Sequence, residues 1–144
     1  MGTGHSSPEI YLWDITTQKV SAVLEQAEKM KNVTKIDFSE NGYHMLSSSK
    51  DSNIVNLWDL RKQDIIKSIE VPKCESILNA EFDFVGKYIA ISAGNSYIFN
   101  TKTSELINLD NTKDCNFMKF DRDMEHVLSV SSNGGMNVNL LSSN

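Results

Sequence analysis

The chain has 144 residues, 40% of them hydrophobic and 23% charged, with a formal net charge of −5 at pH 7. That length suits one domain, the composition is that of a folded globular chain rather than a disordered one, and no apolar run approaches the ~18 residues of a membrane-spanning helix. The acidic balance disfavours a nucleic-acid surface as the main feature. Cys74 and Cys115 stand alone, with no CxxC and no His at ligand spacing, which disfavours a disulfide scaffold and a zinc module alike. Residues 1–8 lack the apolar core of a secretory signal. Two unpaired thiols fit a reducing, intracellular compartment.

In chain order, residues 9–15 and 20–25 read as two strands joined by the polar connector Thr16-Thr17-Gln18-Lys19. Residues 23–31 favour helix on propensity, but a strand followed by a long loop suits the pattern better. Four strands follow at 33–38, 43–49, 54–60 and 65–70. Asn41-Gly42 between two apolar runs is a hairpin signal. Four more are expected at 77–82, 87–92, 96–100 and 105–109, and three at 116–120, 125–131 and 136–141. Asn133-Gly134-Gly135 can supply the positive φ of a tight turn.

The chain repeats itself. Phe38, Phe82 and Phe120 each end a short apolar strand that leads through a turn into a second one, at spacings of 44 and 38 residues. Leu12-Trp13-Asp14-Ile15 recurs as Leu57-Trp58-Asp59-Leu60, and in degraded form as Ile98-Phe99-Asn100 and Asn139-Leu140-Leu141. Trp13, Trp58, Phe99 and Leu140 lie 45, 41 and 41 residues apart. A period of about 40–45 residues with a Trp-Asp signature resembles the blades of the WD-repeat family.

That resemblance implies an all-β chain, part of a WD-repeat β-propeller of four-stranded blades. At this period the chain holds roughly three and a half blades, fewer than the 4–8 of a closed propeller. It is therefore expected to be a C-terminal fragment of a larger propeller. Residues 1–30 would end one blade, 31–73 and 74–112 would form two more, and 113–144 a last blade lacking its outer strand. Such a fragment would expose apolar blade faces and unpaired strand edges, which invite association, and is expected to fold poorly alone.

In this family the Trp indole is tied to a hydroxyl, a His and an Asp. Carried over, the structural network would comprise Trp58 and Asp51 with Ser47 or Ser49, alongside Asp59, Trp13 and Asp14. No Gly-His pair lies between blades, and Gly4-His5 stands too close to Trp13 to serve. His44 and His126 occupy equivalent repeat positions, where the other blade has Tyr88, which points to packing rather than catalysis. No nucleophile elbow and no Gly-rich phosphate loop is present. Catalytic residues, a metal site and a cofactor are not expected.

Loops on a rigid scaffold are the better functional candidates. One set joins second to third strands and includes Lys50, Asn95 and Asn133. Another joins blades and includes Lys29, Lys31, Lys73, Glu75 and Lys113. Both sets fall on one end of a propeller, and their mixed charges suit a protein partner.

Phe38-Ser39-Glu40-Asn41-Gly42-Tyr43, together with Trp58-Asp59-Leu60-Arg61-Lys62, resembles the pre-mRNA-processing factor 19 family more specifically, with a weaker match beyond residue 70. The resemblance implies a nuclear protein of a spliceosome-associated complex, with a U-box for ubiquitin ligation and a coiled coil that makes homotetramers, both upstream of the propeller. This segment would bind protein partners and carry no catalysis of its own. It would make no membrane contact, and direct RNA binding is disfavoured. The competing readings are a generic WD-repeat adaptor in another intracellular complex and an enzyme built on a propeller. The last would need convergent acidic, His or metal-binding residues that the sequence does not show.

Overall fold

A computed structural model describes residues 2–4, 9–25, 32–123 and 125–140; for 2–4 and 110–112 it describes the backbone course alone. Strands alone make up its regular structure, and all ladders between them are antiparallel. The strands are β1 (Gly2–Gly4), β2 (Glu9–Asp14), β3 (Lys19–Glu25), β4 (Lys35–Phe38), β5 (His44–Ser48) and β6 (Ile54–Asp59). They continue as β7 (Asp64–Glu70), β8 (Asn79–Phe82), β9 (Tyr88–Asn100), β10 (Leu106–Phe120), β11 (His126–Ser131) and β12 (Met136–Leu140).

The first sheet has the order β1-β2-β3, and the second is the four-stranded β4-β5-β6-β7. The remaining strands form one hydrogen-bonded series, β8-β9-β10-β11-β12, where the sequence pattern predicts separate strands at 87–92, 96–100, 105–109 and 116–120. The registers explain the difference. Thr101 N–H donates to Lys87 O at 2.9 Å. An extended run between those residues would hold them roughly 45 Å apart, so β9 folds back on itself. The reversal centres on Gly94, whose φ of +76° no L-residue adopts cheaply. In β10, Leu106–Leu109 pairs with the second arm of β9, while Phe117–Phe120 pairs with β11. Between them the chain crosses the β9 turn, where Lys113 opposes Asn95 and Cys115 opposes Gly94. These contacts make the strand continuous. In effect a four-stranded sheet is followed by a three-stranded one: a partial propeller of four-stranded blades.

The sheets pack face to face. Ile10 and Leu24 of the first meet Met45 and Trp58 of the second. Leu46, Val55, Leu57 and Ile69 on the other side of the second meet Ala80, Ile89, Ile91, Tyr97 and Phe99. Ala90 and Ile98 then meet Met118, Phe120 and Val127. Period-two alternation sends neighbouring side chains to opposite faces, so each inner sheet buries both faces. Each buried Ile, Leu or Phe contributes about 1.5–3 kcal/mol of transfer free energy. At the two ends of the series, faces stay open among the described residues. Trp13, Val20 and Val23 are 38%, 42% and 45% exposed on the first sheet, and Met136, Val138 and Leu140 are 67%, 63% and 72% exposed on the last.

Candidate functional site

The two Trp-Asp pairs stand in different surroundings. Trp58 is 1% exposed, and its indole N–H donates to Ser47 Oγ at 2.9 Å across the β5–β6 ladder. Trp13 is partly exposed. The first sheet turns its Ile10 side toward Trp58 and its Trp13 side away, where no described sheet covers it. Ser49 is buried and accepts the Asp51 N–H at 3.0 Å. Asp51 is exposed, and its carboxylate accepts from Asn32 Nδ2 at 2.7 Å. The described bonds of Asp51 therefore bind one loop to another and do not reach the indole.

The Asp of each pair caps the turn that follows it. Asp59 accepts the N–H groups of Arg61 and Lys62 at 2.9 and 3.2 Å. Asp14 does the same for Thr16 and Thr17 at 2.8 and 3.4 Å, and Asn100 for Lys102 and Thr103 at 2.9 and 3.1 Å. Each turn then places one residue in the left-handed region: Gln18, Gln63 or Ser104, at φ of 57°, 56° and 62°. The Thr17 hydroxyl and the Thr16 N–H hold the Asp14 carboxyl below its ordinary range. For Asp59 burial pulls upward, but the Arg61 side chain and the two turn N–H groups outweigh it.

The candidate loop residues gather at one end of the sheets. Inter-sheet crossovers meet the β5–β6, β9 and β11–β12 turns there. Asn32 bonds Asp51, the Tyr97 hydroxyl donates to Pro72 O at 3.1 Å, and Ser132 N–H donates to Asp114 O at 3.0 Å. Lys73 and Asp114, 41 residues apart, both sit at φ of 57°, so two crossovers bend alike. Lys50, Lys73, Glu75, Lys113 and Asn133 are exposed there, and Asn95 is half-buried. Lys29 and Lys31 lie outside the described residues, as do His5 and most of the stretch with helical propensity.

At the opposite end the inner strands β4, β8 and the second arm of β10 finish side by side, an arrangement the sequence reading missed. Their turns repeat one device. His44 N–H donates to Ser39 Oγ at 3.0 Å, Tyr88 N–H to Asp83 Oδ1 at 3.0 Å, and His126 N–H to Asp121 Oδ1 at 3.1 Å. Asp121 also meets His126 Nδ1 through Oδ2 at 2.9 Å. A Tyr ring nitrogen does not exist to do this for Asp83, whose Oδ2 is buried without a partner. Carboxylates also tie one sheet to the next. Asp37 accepts the Phe82 N–H at 2.8 Å, and Glu81 accepts the Phe120 N–H. The third equivalent position is Lys119. A cavity of about 360 Å³ opens among these strand ends, walled by Asp37, Glu81, Asp83, Lys119 and the repeated Phe residues.

Burial raises the Cys74 thiol above its ordinary value, which makes it a poor nucleophile, and Cys115 is buried. Among the described residues no cluster of three or more His, Cys, Asp or Glu is placed to hold a metal ion.

No protein-family model matches the chain. It is 33% identical to pre-mRNA-processing factor 19 of Oryza sativa subsp. japonica over 107 residues, 74% of this chain and 20% of that protein. It is 32% identical to pre-mRNA-processing factor 19 homolog 2 of Arabidopsis thaliana over 135 residues, 88% of this chain and 24% of that protein. It is also 32% identical to autophagic-related protein 16.2 of Caenorhabditis elegans over 110 residues, 72% of this chain and 20% of that protein. The chain thus spans about a fifth to a quarter of the length of these relatives.

Proposed function

We infer, from a chain homologous over most of its length to proteins named pre-mRNA-processing factor 19, that it is the partner-binding propeller segment of a splicing factor. A splicing-related role and association with a protein complex follow from those relatives. The finer assignment is that the parent protein is a nuclear U-box ubiquitin ligase that acts in spliceosome activation and assembles as a homotetramer through an upstream coiled coil. In that parent this segment recognises protein partners or substrates, while the chemistry resides elsewhere. The blades are 31–73 and 74–112, flanked by the end of one blade in 1–30 and most of another in 113–144.

One observation carries the mechanism. The crossovers and turns at one end are held in place by hydrogen bonds, Asn32 to Asp51 between two loops and Tyr97 of β9 to Pro72 of a crossover. Exposed side chains of both signs, Lys50, Lys73, Glu75 and Lys113, project from that braced rim. A rim fixed before binding loses less conformational entropy when a partner docks. Protein recognition needs such a surface and needs no catalytic group.

A second reading has its own support. Similarity to autophagic-related protein 16.2 and to retinoblastoma-binding-like protein E of Dictyostelium discoideum suits a general adaptor as well. Affinity purification of the tagged chain, followed by mass spectrometry, separates the two. Recovery of splicing proteins, lost when Lys50, Lys73 and Lys113 are replaced together by Glu, is expected. Recovery of an unrelated complex would replace the splicing assignment with the adaptor.

A further inference from the structure

The end of the molecule opposite the braced rim carries a second surface of different chemistry. Its cavity lies where β4, β8 and the second arm of β10 end, and carboxylates outnumber cations on its walls. Asp37 and Glu81 each spend hydrogen-bonding capacity on the N–H of the next strand. Asp83 differs. The residue is 2% exposed, Oδ1 accepts the Tyr88 N–H, and Oδ2 is buried without a hydrogen-bond partner. A buried carboxylate oxygen without a donor is costly. The equivalent oxygen of Asp121 avoids that cost through the His126 ring. Burial raises both Glu81 and Asp83 above the ordinary carboxylate range; Lys119 offsets this only in part for Glu81, and the turn N–H groups of Tyr88, Lys87 and Gly86 only in part for Asp83.

Two aromatic rings frame the cavity. Phe38 is 39% exposed and Phe84 is 60% exposed, and Val85 beside it on the same turn is 56% exposed. A turn tip that presents Phe-Val to solvent gains nothing in the free chain and offers apolar contact to something that docks. Phenyl faces attract a cation, and a guanidinium can stack on such a ring while donating to a carboxylate.

We propose that this cavity is a binding site for a cationic side chain, an arginine of a partner protein. The guanidinium donates to Glu81 and lies near the buried charge of Asp83, and its plane or stem rests on Phe84 and Phe38. The proposal names the chemistry of one contact within the partner-binding role argued above, and it rests on that role for its biological setting.

The test uses the full chain, labelled with ¹⁵N, and N-acetyl-arginine amide as probe. N-acetyl-citrulline amide is the neutral isostere. The arginine probe is expected to shift the amide signals of Phe82, Phe84 and Phe120 saturably, with the citrulline probe silent. Glu81→Gln keeps an acceptor for the Phe120 N–H while removing the charge, and is expected to weaken binding about fivefold. Phe84→Ala, at an exposed turn tip, is expected to weaken it about threefold, and it carries the test if Glu81→Gln does not fold. No saturable shift, an equal response to citrulline, or full binding by Phe84→Ala would overturn the proposal. The partner-binding role fails separately. If the unaltered chain recovers splicing proteins while the arginine probe does not bind it, only the cavity assignment is lost. If the unaltered chain recovers no splicing proteins, the role itself is lost.

Discussion

Trp58 and Trp13 share one tripeptide but should differ sharply in what they contribute to stability. Trp58 is enclosed by Met45 and, across the sheet boundary, by Ile10 and Leu24, and it donates to buried Ser47. Trp58→Phe removes that hydrogen bond and part of a buried ring. A large-to-small change in a packed core together with one lost hydrogen bond sums to about 2–3 kcal/mol. Trp13→Phe acts on a ring 38% exposed and should cost under about 1 kcal/mol. Ser47→Ala leaves the buried indole N–H of Trp58 without its acceptor, at about 1–3 kcal/mol. Combined with Trp58→Phe it should cost less than the sum, with a coupling of about 1 kcal/mol. Urea denaturation followed by far-ultraviolet circular dichroism reads all four. With a slope of about 1–3 kcal/mol per molar urea, Trp58→Phe should lower the midpoint by about 1 M. Equal losses at the two tryptophans, or strict additivity of Ser47→Ala and Trp58→Phe, would refute the packing between the first two sheets described above.

Gln63→Gly should raise thermal stability by about 0.5–1 kcal/mol, because Gln63 holds φ of 56° and glycine removes that strain; a lower melting temperature would contradict the turn geometry. The turn N–H groups and Arg61 lower the Asp59 carboxyl despite its burial. Its contribution is therefore complete above the ordinary carboxylate value and is lost as pH falls through the lowered one. Acid titrations of stability should show a shallower decline for Asp59→Asn, and an unchanged slope would count against the cap. Tyr88→His should give Asp83 Oδ2 the ring donor that His126 gives Asp121. Carbon-detected titration should then find the Asp83 carboxyl moved downward from its raised position, and no movement would mean that the two turns are not equivalent.

The strands were legible because their apolar residues alternate and their turns announce themselves. Asn41-Gly42 does sit where the chain reverses, with Gly42 at φ of 70°. The Trp-Asp spacing gave the period, yet the tripeptide reads the same at Trp13 and Trp58. Burial is decided by the adjacent sheet, which no local pattern records. β1 went unseen for a similar reason. Gly2-Thr3-Gly4 has no apolar alternation, and only its ladder with β2 makes it a strand. The left-handed residues Gln18, Gln63 and Ser104 are not glycines, so their turns carry no conformational signature in sequence. The link from Asp37 to Phe82 N joins residues 45 positions apart, and before folding Asp37 looks like any polar residue on a strand. The candidate rim was more accessible to sequence, because connectors between repeat elements must fall at the ends of the sheets.

The most direct measurement is cross-linking mass spectrometry on the complex purified through the tagged chain, with a lysine-reactive reagent. Lys50, Lys73 and Lys113 mark the braced rim, and Lys35, Lys87 and Lys119 lie on the inner strands and turns that lead to the other end. Partner binding within a splicing complex predicts cross-links from these lysines to splicing proteins, concentrated at the rim. Purification of an intact splicing complex in which no lysine of this chain cross-links to another protein would contradict it, as would cross-links confined to an unrelated assembly.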